Sequence, residues 1–188
     1  GDDAVVDRFG QINPRVLITA ERTTYNHKLV EPAKKVDQIL PRLPSVKLVV
    51  AVGSASTSNS QIDCIPWQEA LAELPLSDWE SFPFAHPLCI VYSSGTTGAP
   101  KCIVHGTGGT VLQHVKEHRL HCNLNDGDCL FYYTTTGWMM WNWLLSGLAS
   151  NATIVLYDGS PFANGPQTLL DIAEKSGVTH FGAGARYY

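Results

Sequence analysis

The sequence has little charge and no cluster of basic residues. Only 16% of its 188 residues are charged, and the 13 Lys and Arg are outnumbered by 17 Asp and Glu, for a formal net charge of −4. A protein that binds nucleic acid needs a basic patch that follows the phosphate backbone. We therefore predict neither DNA nor RNA as a partner.

Long apolar runs are also missing. The most apolar stretch, residues 138–148, is interrupted by Asn142, Ser146 and Gly147. A helix needs about 20 predominantly apolar residues to cross a bilayer. We therefore predict no membrane insertion, and we expect this stretch to lie in a core or in the wall of a pocket.

Cysteine is scarce and shows no pairing pattern. The five cysteines are odd in number and scattered, and none belongs to a Cys-x-x-Cys pair. This usage favours a reducing compartment, and we predict a cytoplasmic protein. No signal peptide is visible, but the chain begins with Gly1 rather than methionine, so we expect the natural start to lie upstream.

What the sequence does contain is an alternation of short apolar runs with amphipathic stretches. Runs rich in β-branched residues predict buried strands at residues 16–19, 46–52, 88–92, 130–134 and 152–157. The stretches between them predict helices at residues 32–39, 110–120, 138–150 and 166–176. Strands that alternate with helices are usually parallel. We therefore predict an α/β fold, with a layered, mostly parallel sheet and flanking helices.

The segment with the clearest chemistry is Ser93-Ser94-Gly95-Thr96-Thr97-Gly98-Ala99-Pro100-Lys101, which we name the phosphate loop. It follows the apolar run that ends at Val91. The two glycines let the backbone bend so that successive amide groups point at phosphate oxygens, and four hydroxyl side chains add donors. Lys101 adds a flexible positive charge.

The spacing of the phosphate loop differs from that of the common nucleotide loop, Gly-x-x-x-x-Gly-Lys-Ser/Thr. Its glycines are three positions apart, and two residues separate Gly98 from Lys101. The fold of the common mononucleotide hydrolases is therefore disfavoured. A plain surface loop is the structural alternative, but the preceding strand, Pro100 and Lys101 favour phosphate binding.

The phosphate loop resembles the signature of the adenylate-forming superfamily, which includes acyl-CoA synthetases, adenylation domains of peptide synthetases and luciferases. Further segments resemble the acetoacetate–CoA ligases within it. They are Asp7-Arg8-Phe9-Gly10-Gln11-Ile12, Lys116-Glu117-His118, Phe131-Tyr132-Tyr133-Thr134-Thr135-Thr136-Gly137-Trp138-Met139-Met140-Trp141-Asn142 and Leu156-Tyr157-Asp158-Gly159-Ser160-Pro161. The resemblance runs from end to end. It implies that residues 1–188 are part of a large N-terminal AMP-binding domain and that a C-terminal domain lies outside them.

The resemblance implies an ATP-dependent acid–thiol ligase. The carboxylate of acetoacetate joins AMP with release of pyrophosphate, and the acyl group then passes to the thiol of coenzyme A. ATP and Mg²⁺ are the implied cofactors, and coenzyme A is a substrate. Carried over residue by residue, the resemblance implies that Lys101 is catalytic and contacts the departing pyrophosphate. The implied ATP-binding residues are Ser93, Ser94, Gly95, Thr96, Thr97, Gly98 and Lys101.

Residues 137–142 follow a predicted strand end, which is where open parallel sheets gather their ligands. Trp138 and Trp141 are suited to an apolar slot for a short acyl chain, and Asn142 to a hydrogen bond with a keto oxygen. The alternative is that these residues form the core face of a helix. We include only Trp138 in the predicted substrate site.

A second motif points to another chemistry. His114-Val115-Lys116-Glu117-His118 matches the His-x-x-Glu-His pattern of an inverted zinc-peptidase motif. Zinc needs a third ligand and an open cleft, and Val111 and Val115 read as an ordinary packing stripe. We predict no metal ligand here and interpret the segment as a helix after the phosphate loop.

Three classes of function therefore remain. The first is an acetoacetate–CoA ligase, with acetyl-CoA or another short-chain acyl-CoA synthetase as the variant, because neither composition nor spacing distinguishes acetoacetate from another short acid. The second is a nucleotide-binding module without catalysis, since the resemblance implies that the ribose-binding elements and the adenylation lysine lie outside these 188 residues. The third is the zinc peptidase. The oligomeric state cannot be predicted from the sequence.

Overall fold

The chain forms two compact units that are interleaved in sequence. A computed structural model describes residues 1–25, 27–54, 56–72, 78–93, 98 and 100–188. Unit 1 comprises Gly1–Ser81 and Tyr92–Cys102, and unit 2 comprises Phe82–Val91 and Ile103–Tyr188.

Helices and short strands alternate along most of the described residues. The α-helices are α1 (Asp2–Phe9), α2 (Val36–Ile39), α3 (Trp67–Leu71), α4 (Thr107–Lys116), α5 (Met139–Ser146) and α6 (Thr168–Lys175). The strands are β1 (Val16–Ala20), β2 (Thr23–Tyr25), β3 (Lys28–Val30), β4 (Leu48–Val52), β5 (Asp63–Pro66), β6 (Pro87–Ser93), β7 (Lys101–Gly106), β8 (Cys129–Tyr132), β9 (Thr153–Ile154) and β10 (His180–Gly182). Tighter 3-10 turns cover Pro32–Lys35, Leu40–Arg42 and Gly147–Ser150, and a π-turn covers Glu117–His121.

Unit 1 is built on a parallel sheet in the order β1-β4-β5, in which Val16 pairs with Leu48 and Leu48 with Asp63. The β-branched central strand β4 is the most buried of the three. Side chains alternate along β1, so that Leu17 is buried and Ile18 is exposed. The buried core of unit 1 consists of Leu17, Val36, Ile39, Leu40, Leu43, Val46 and Val49.

Unit 2 has a second parallel sheet, in the order β10-β8-β9. The 3-10 turn after α5 buries Gly147, and an added Cβ there would lie 2.9 Å from a methyl carbon of Leu130 on β8. Helix α6 buries Leu169 and ends before Gly177, whose φ of +63° is the left-handed conformation that suits glycine. One buried cluster of this unit is Leu124, Leu130, Leu144 and Ala152.

Two further strand pairs complete the described sheets. Strands β2 and β3 form an antiparallel hairpin. Strands β6 and β7 hydrogen-bond to each other, and β6 begins in unit 2 and ends in unit 1. No helix in the described ranges has both the length and the apolar character needed to cross a bilayer.

The predicted α/β class is confirmed, and both three-stranded sheets are parallel. The strand predicted at residues 152–157 is wrong beyond Ile154, because β9 pairs with only Cys129 and Leu130. The chain then turns, and the Tyr157 hydroxyl donates to the Ser160 carbonyl oxygen at 3.0 Å. The helix predicted at residues 110–120 begins earlier, at Thr107, and loosens into the π-turn after Lys116.

Candidate functional site

The phosphate loop joins β6 to β7. Ser93 is the last residue of β6 and is half-buried, and Lys101 is the first residue of β7 and is exposed. Gly98 is exposed with a φ of +98°, a conformation that L side chains rarely adopt, as the predicted bend requires. Ser94, Gly95, Thr96 and Thr97 lie outside the described residues. Their predicted phosphate contacts stay predictions.

Helix α1 and the turn after it contact both ends of the phosphate loop within unit 1. Before the loop, the Tyr92 hydroxyl donates to the Arg8 carbonyl oxygen at 3.0 Å. After it, the Gln11 side-chain amide donates to the Pro100 carbonyl oxygen at 2.9 Å. The Cys102 thiol donates to Gln11 Oε1 at 3.4 Å. The end of α1 and the turn after it therefore hold the two stems of the loop.

Gln11 and Tyr92 were not among the predicted site residues. Segment 7–12 carried part of the family resemblance, but its sequence gives no sign of a partner 89 positions away. Burial raises the pKa of Tyr92, and the positive charge of Arg8 opposes this only in part. The Tyr92 hydroxyl therefore keeps its proton and remains a donor at neutral pH.

Lys101 is available for an anion. Among the ion pairs in the described ranges, none includes Lys101. An exposed lysine carries a flexible ammonium group that suits phosphate oxygens. The predicted role of Lys101 is compatible with its position at the exit of the phosphate loop.

Unit 2 contains a cavity of about 240 Å³ between α4, α5 and the first part of β6, which we name the α4–α5 cavity. None of its lining side chains is Asp, Glu, Lys or Arg, so the cavity suits an uncharged group with few polar atoms. Asn142, which the sequence suggested for a keto oxygen, lies in its wall. Its lining residues are Leu88, Cys89, Thr110, Val111, His114, Asn142, Leu145 and Ser146.

Trp138 is not among the residues that line this cavity. It directly precedes α5 and is 65% exposed, so its predicted substrate contact stays a prediction. A tryptophan of unit 2 that does pack on other rings is Trp143, whose ring lies 4.2 Å from that of His118 and 5.8 Å from that of Tyr132.

His114 is the most buried polar residue of the α4–α5 cavity wall. It is 7% exposed, and its Nδ1 has no hydrogen-bond partner among the described residues. Burial lowers the pKa of His114, and the neighbouring His118 and His105 lower it further. The ring is therefore neutral at pH 7 and adds no charge to the cavity wall.

The zinc motif has a different use in the fold. His118 Nε2 lies 3.0 Å from the Trp143 carbonyl oxygen and 3.0 Å from Ser146 Oγ. Within the described ranges, no group of three or more His, Cys, Asp or Glu is arranged to hold a metal ion. The peptidase alternative therefore has no ligand set among these residues.

Unit 1 also has an open depression of about 390 Å³. Three of its side chains are acidic, and all three have partners: Asp37 accepts from Thr57 and Ser58, Glu21 accepts from the Ser54 amide, and Glu31 pairs with Lys34 at 2.7 Å. Negative charge there disfavours ATP and carboxylate substrates. The lining residues are Glu21, Glu31, Ala33, Lys34, Asp37, Ser54 and Ser56.

Comparison with known proteins decides the family. The AMP-binding enzyme family model matches residues 1–186. The chain belongs to the AMP-binding enzyme family. This confirms the superfamily that the phosphate loop indicated.

Relatives within the AMP-binding enzymes match the chain over nearly its whole length. It is 45% identical over 197 residues to acetoacetyl-CoA synthetase of Gallus gallus, covering 100% of this chain and 30% of the relative. It is 41% identical over 204 residues to malonamoyl-CoA synthetase of Penicillium aethiopicum, covering 97% of this chain and 28% of the relative.

A solved structure agrees with these relatives. The chain superimposes on acetoacetyl-CoA synthetase from Streptomyces lividans with a TM-score of 0.91 and 41% identity, covering 100% of this chain and 29% of that one. The chain thus spans less than a third of the length of the proteins it matches.

Proposed function

We propose that the protein containing this chain is an ATP-dependent ligase that forms acetoacetyl-CoA from acetoacetate and coenzyme A. The carboxylate attacks the α-phosphate of ATP, which gives the acyl-adenylate and pyrophosphate, and the thiol of coenzyme A then displaces AMP. The observation that carries the proposal is the match of the whole chain, at 41–45% identity, to proteins of that activity. The activity belongs to the complete protein, because the chain spans only 29–30% of those proteins.

In this proposal the phosphate loop binds ATP together with Mg²⁺. Charge that develops on the phosphates is stabilised by preorganised donors and cations. Two observations support this role. The backbone bends at Gly98, and Lys101 takes part in none of the ion pairs found among the described residues. Arg8 at the end of α1 and Gln11 in the turn after it hold the two stems of the loop.

We further propose that the α4–α5 cavity receives the acyl end of the acid. Acetoacetate ends in a methyl ketone, which combines a small apolar group with one carbonyl acceptor. The cavity offers apolar walls, the Asn142 amide and the neutral His114 ring. An ionised side chain there would disfavour such an uncharged group, and the lining has no carboxylate, ammonium or guanidinium group.

A second acid is favoured by a specific observation. One relative, at 41% identity, is a malonamoyl-CoA synthetase. Malonamate carries an amide where acetoacetate carries a methyl ketone, so both acids have a carbonyl group at the third carbon. We propose that short acids with such a carbonyl form the substrate class.

The proposal also covers the domain organisation and the cellular location of the enzyme. Residues 1–188 would form part of its N-terminal AMP-binding domain, and a C-terminal domain would complete the site. The scattered cysteines support a cytoplasmic location.

The test is acid-dependent pyrophosphate release by the full-length protein with ATP, Mg²⁺ and acetoacetate, malonamate, acetate or butyrate. We expect the first two acids to be preferred. Lys101→Ala should lower kcat/KM about a hundredfold, because removing one preorganised donor of transition-state charge costs this much. Lys47→Ala is the matched control, because the ammonium group of this lysine donates to the Pro44 carbonyl oxygen at 3.4 Å and lies outside the phosphate loop.

Each result decides one part of the proposal. Preference for acetate or butyrate would contradict the substrate class and leave a short-chain acyl-CoA synthetase. Pyrophosphate release that is unchanged in Lys101→Ala would contradict the role of that lysine. No release with any acid would leave a nucleotide-binding module.

A further inference from the structure

His118 makes an unusual set of contacts for a buried histidine in unit 2. It lies on the π-turn after α4 and is 0% exposed. Its Nε2 reaches across to α5, 3.0 Å from the Trp143 carbonyl oxygen and 3.0 Å from Ser146 Oγ. Its ring also packs at 4.2 Å against the Trp143 indole.

These contacts fix the protonation of the ring. A carbonyl oxygen can only accept, so Nε2 must carry the proton and donate it. The Ser146 hydroxyl donates its own hydrogen to the same carbonyl at 2.7 Å, so its oxygen can accept, and the single Nε2 hydrogen is shared between the Trp143 carbonyl oxygen and Ser146 Oγ. His118 Nδ1 is buried with no hydrogen-bond partner among the described residues, so it is a bare lone pair.

The contacts of His118 reach the α4–α5 cavity. Ser146 is both a partner of His118 and a residue of the cavity wall, and Asn142 and Leu145 lie on the same wall. The Nε2 hydrogen bond therefore fixes how α5 presents these side chains. His114, one turn earlier on α4, faces the cavity from the other side.

We propose that His118 is a positioning residue for the acid pocket, acting through Ser146 and the Trp143 carbonyl. The inference rests on the proposed function, because it takes the α4–α5 cavity to be the place of the acyl group. His118 itself does not touch the substrate. It holds the wall on which Asn142 meets the carbonyl of the acid.

The surroundings keep the ring neutral. The titratable groups beside it are His114 on α4 and Glu117 on its own turn. Helix α5 and the turn Gly147–Ser150 contain no titratable side chain. Burial lowers the pKa of His118, although the hydrogen bond to Trp143 and the charge of Glu117 oppose the change. The donor is therefore present throughout the neutral pH range.

The test uses three variants of the full-length protein. In His118→Gln the amide reaches about as far as Nε2 and keeps an N–H donor, whereas the shorter amide of His118→Asn ends near the place of Nδ1. Ser146→Ala keeps the histidine and removes its partner in the wall. The KM for acetoacetate, the KM for ATP and kcat are measured by acid-dependent ATP–pyrophosphate exchange.

We expect His118→Asn to raise the KM for acetoacetate about tenfold, with the KM for ATP changed less than about twofold. His118→Gln should restore the KM for acetoacetate to within about threefold of the unsubstituted protein, and Ser146→Ala should raise it about fivefold. A merely structural role would lower the melting temperature in all three variants without separating the two KM values.

Equal rises in both KM values, or no recovery in His118→Gln while Ser146→Ala is silent, would overturn the positioning role. The proposed function is tested separately by the unsubstituted protein. If it prefers another acid, the same comparison is made with the KM of that acid. No exchange with any acid would overturn both proposals.

Discussion

Gln11 is a single residue on which the exit of the phosphate loop depends. Its side-chain amide donates to two carbonyl oxygens, that of Pro100 at 2.9 Å and that of Asp7 at 2.6 Å. Its own oxygen accepts from the Cys102 thiol. The side chain therefore joins the turn after α1 to the start of β7.

We expect Gln11→Ala to raise the KM for ATP about fivefold in the full-length protein, because a net hydrogen bond contributes about 0.5–1.5 kcal/mol. Gln11→Glu should be worse, since a carboxylate would face two carbonyl oxygens. The measurement is ATP–pyrophosphate exchange at varied ATP concentration. Gln38→Ala, at an exposed glutamine on α2, is the control. An unchanged KM in Gln11→Glu would show that the loop does not need this bridge.

Residue types alone predicted part of the candidate site. The glycines, hydroxyls and lysine of residues 93–101 identified the phosphate loop, and Asn142 was connected with a pocket before its position was known. Gln11 and Tyr92 were missed because their partners lie 89 and 84 positions away. The substrate contact predicted for Trp138 stays a prediction, because an apolar run gives no sign of which tryptophan faces a ligand.

At the scale of elements, the start of α4 shows how closely β6 and its approach are packed. The Gly108 amide donates to the Phe84 carbonyl oxygen at 2.9 Å, and an added Cβ at position 108 would overlap the Phe84 ring, whose Cγ is 2.5 Å away. The next residue, Gly109, has open space around it. The two neighbouring glycines thus form a natural pair for comparison.

Gly108→Ala should destabilise the protein by about 1 kcal/mol, since the Phe84 ring must leave the helix start. Gly109→Ala should stabilise it by about 0.5 kcal/mol, because alanine restricts the unfolded chain and favours the helix. Thermal unfolding of the two variants checks the order. Equal melting temperatures would mean that the Phe84 ring moves aside at no cost.

Element types were predictable wherever the hydrophobic pattern was long. The β-branched run of β4 and the last helix, α6, are present where the pattern placed them. Strand β7 was not predicted, because Lys101 and His105 break the apolar run that it forms. Helix α1 was not predicted either, since its polar sequence becomes helical by packing Val5, Val6 and Phe9 on the core of unit 1.

At the scale of the molecule, two buried histidines make stability depend on pH. Burial lowers the pKa of both His114 and His118 below the ordinary value of 6.5. Between the lowered value and 6.5 the unfolded chain binds more protons than the folded one, so stability rises with pH across that window. Above 6.5 this contribution is complete, and it is lost as the pH falls below 6.5.

We expect the melting temperature of the full-length protein to be nearly flat from about pH 8 to about pH 6.5 and to fall below it. His118→Gln should reduce the fall, because one of the two imidazoles is removed. His121→Gln, at an exposed histidine, controls for the loss of an imidazole in general. The same fall in His118→Gln and in the unsubstituted protein would assign the effect to other groups.

Two carboxylates affect the stability of the folded protein at lower pH. Hydrogen bonds from Thr57 and Ser58 lower the pKa of Asp37, and the Asn125 amide lowers that of Asp128. Carboxylates of this kind stabilise the folded state above their unfolded value of 3.8 and lose the effect as the pH falls below it. The histidines therefore change stability in a pH range just below 6.5, and the carboxylates change it only below 3.8.

The interleaving of the two units limits how related genes can be recombined. Unit 1 takes Gly1–Ser81 together with Tyr92–Cys102, and the Gln11 bridge joins these two segments. A crossover between codons 11 and 92 would take α1 from one parent and the phosphate loop from the other. Such a chimera keeps its bridge only if the first parent has a glutamine at position 11 and the second a backbone that accepts it. Two separate stretches of the gene, one that encodes Gln11 and one that encodes the phosphate loop, must therefore come from compatible parents.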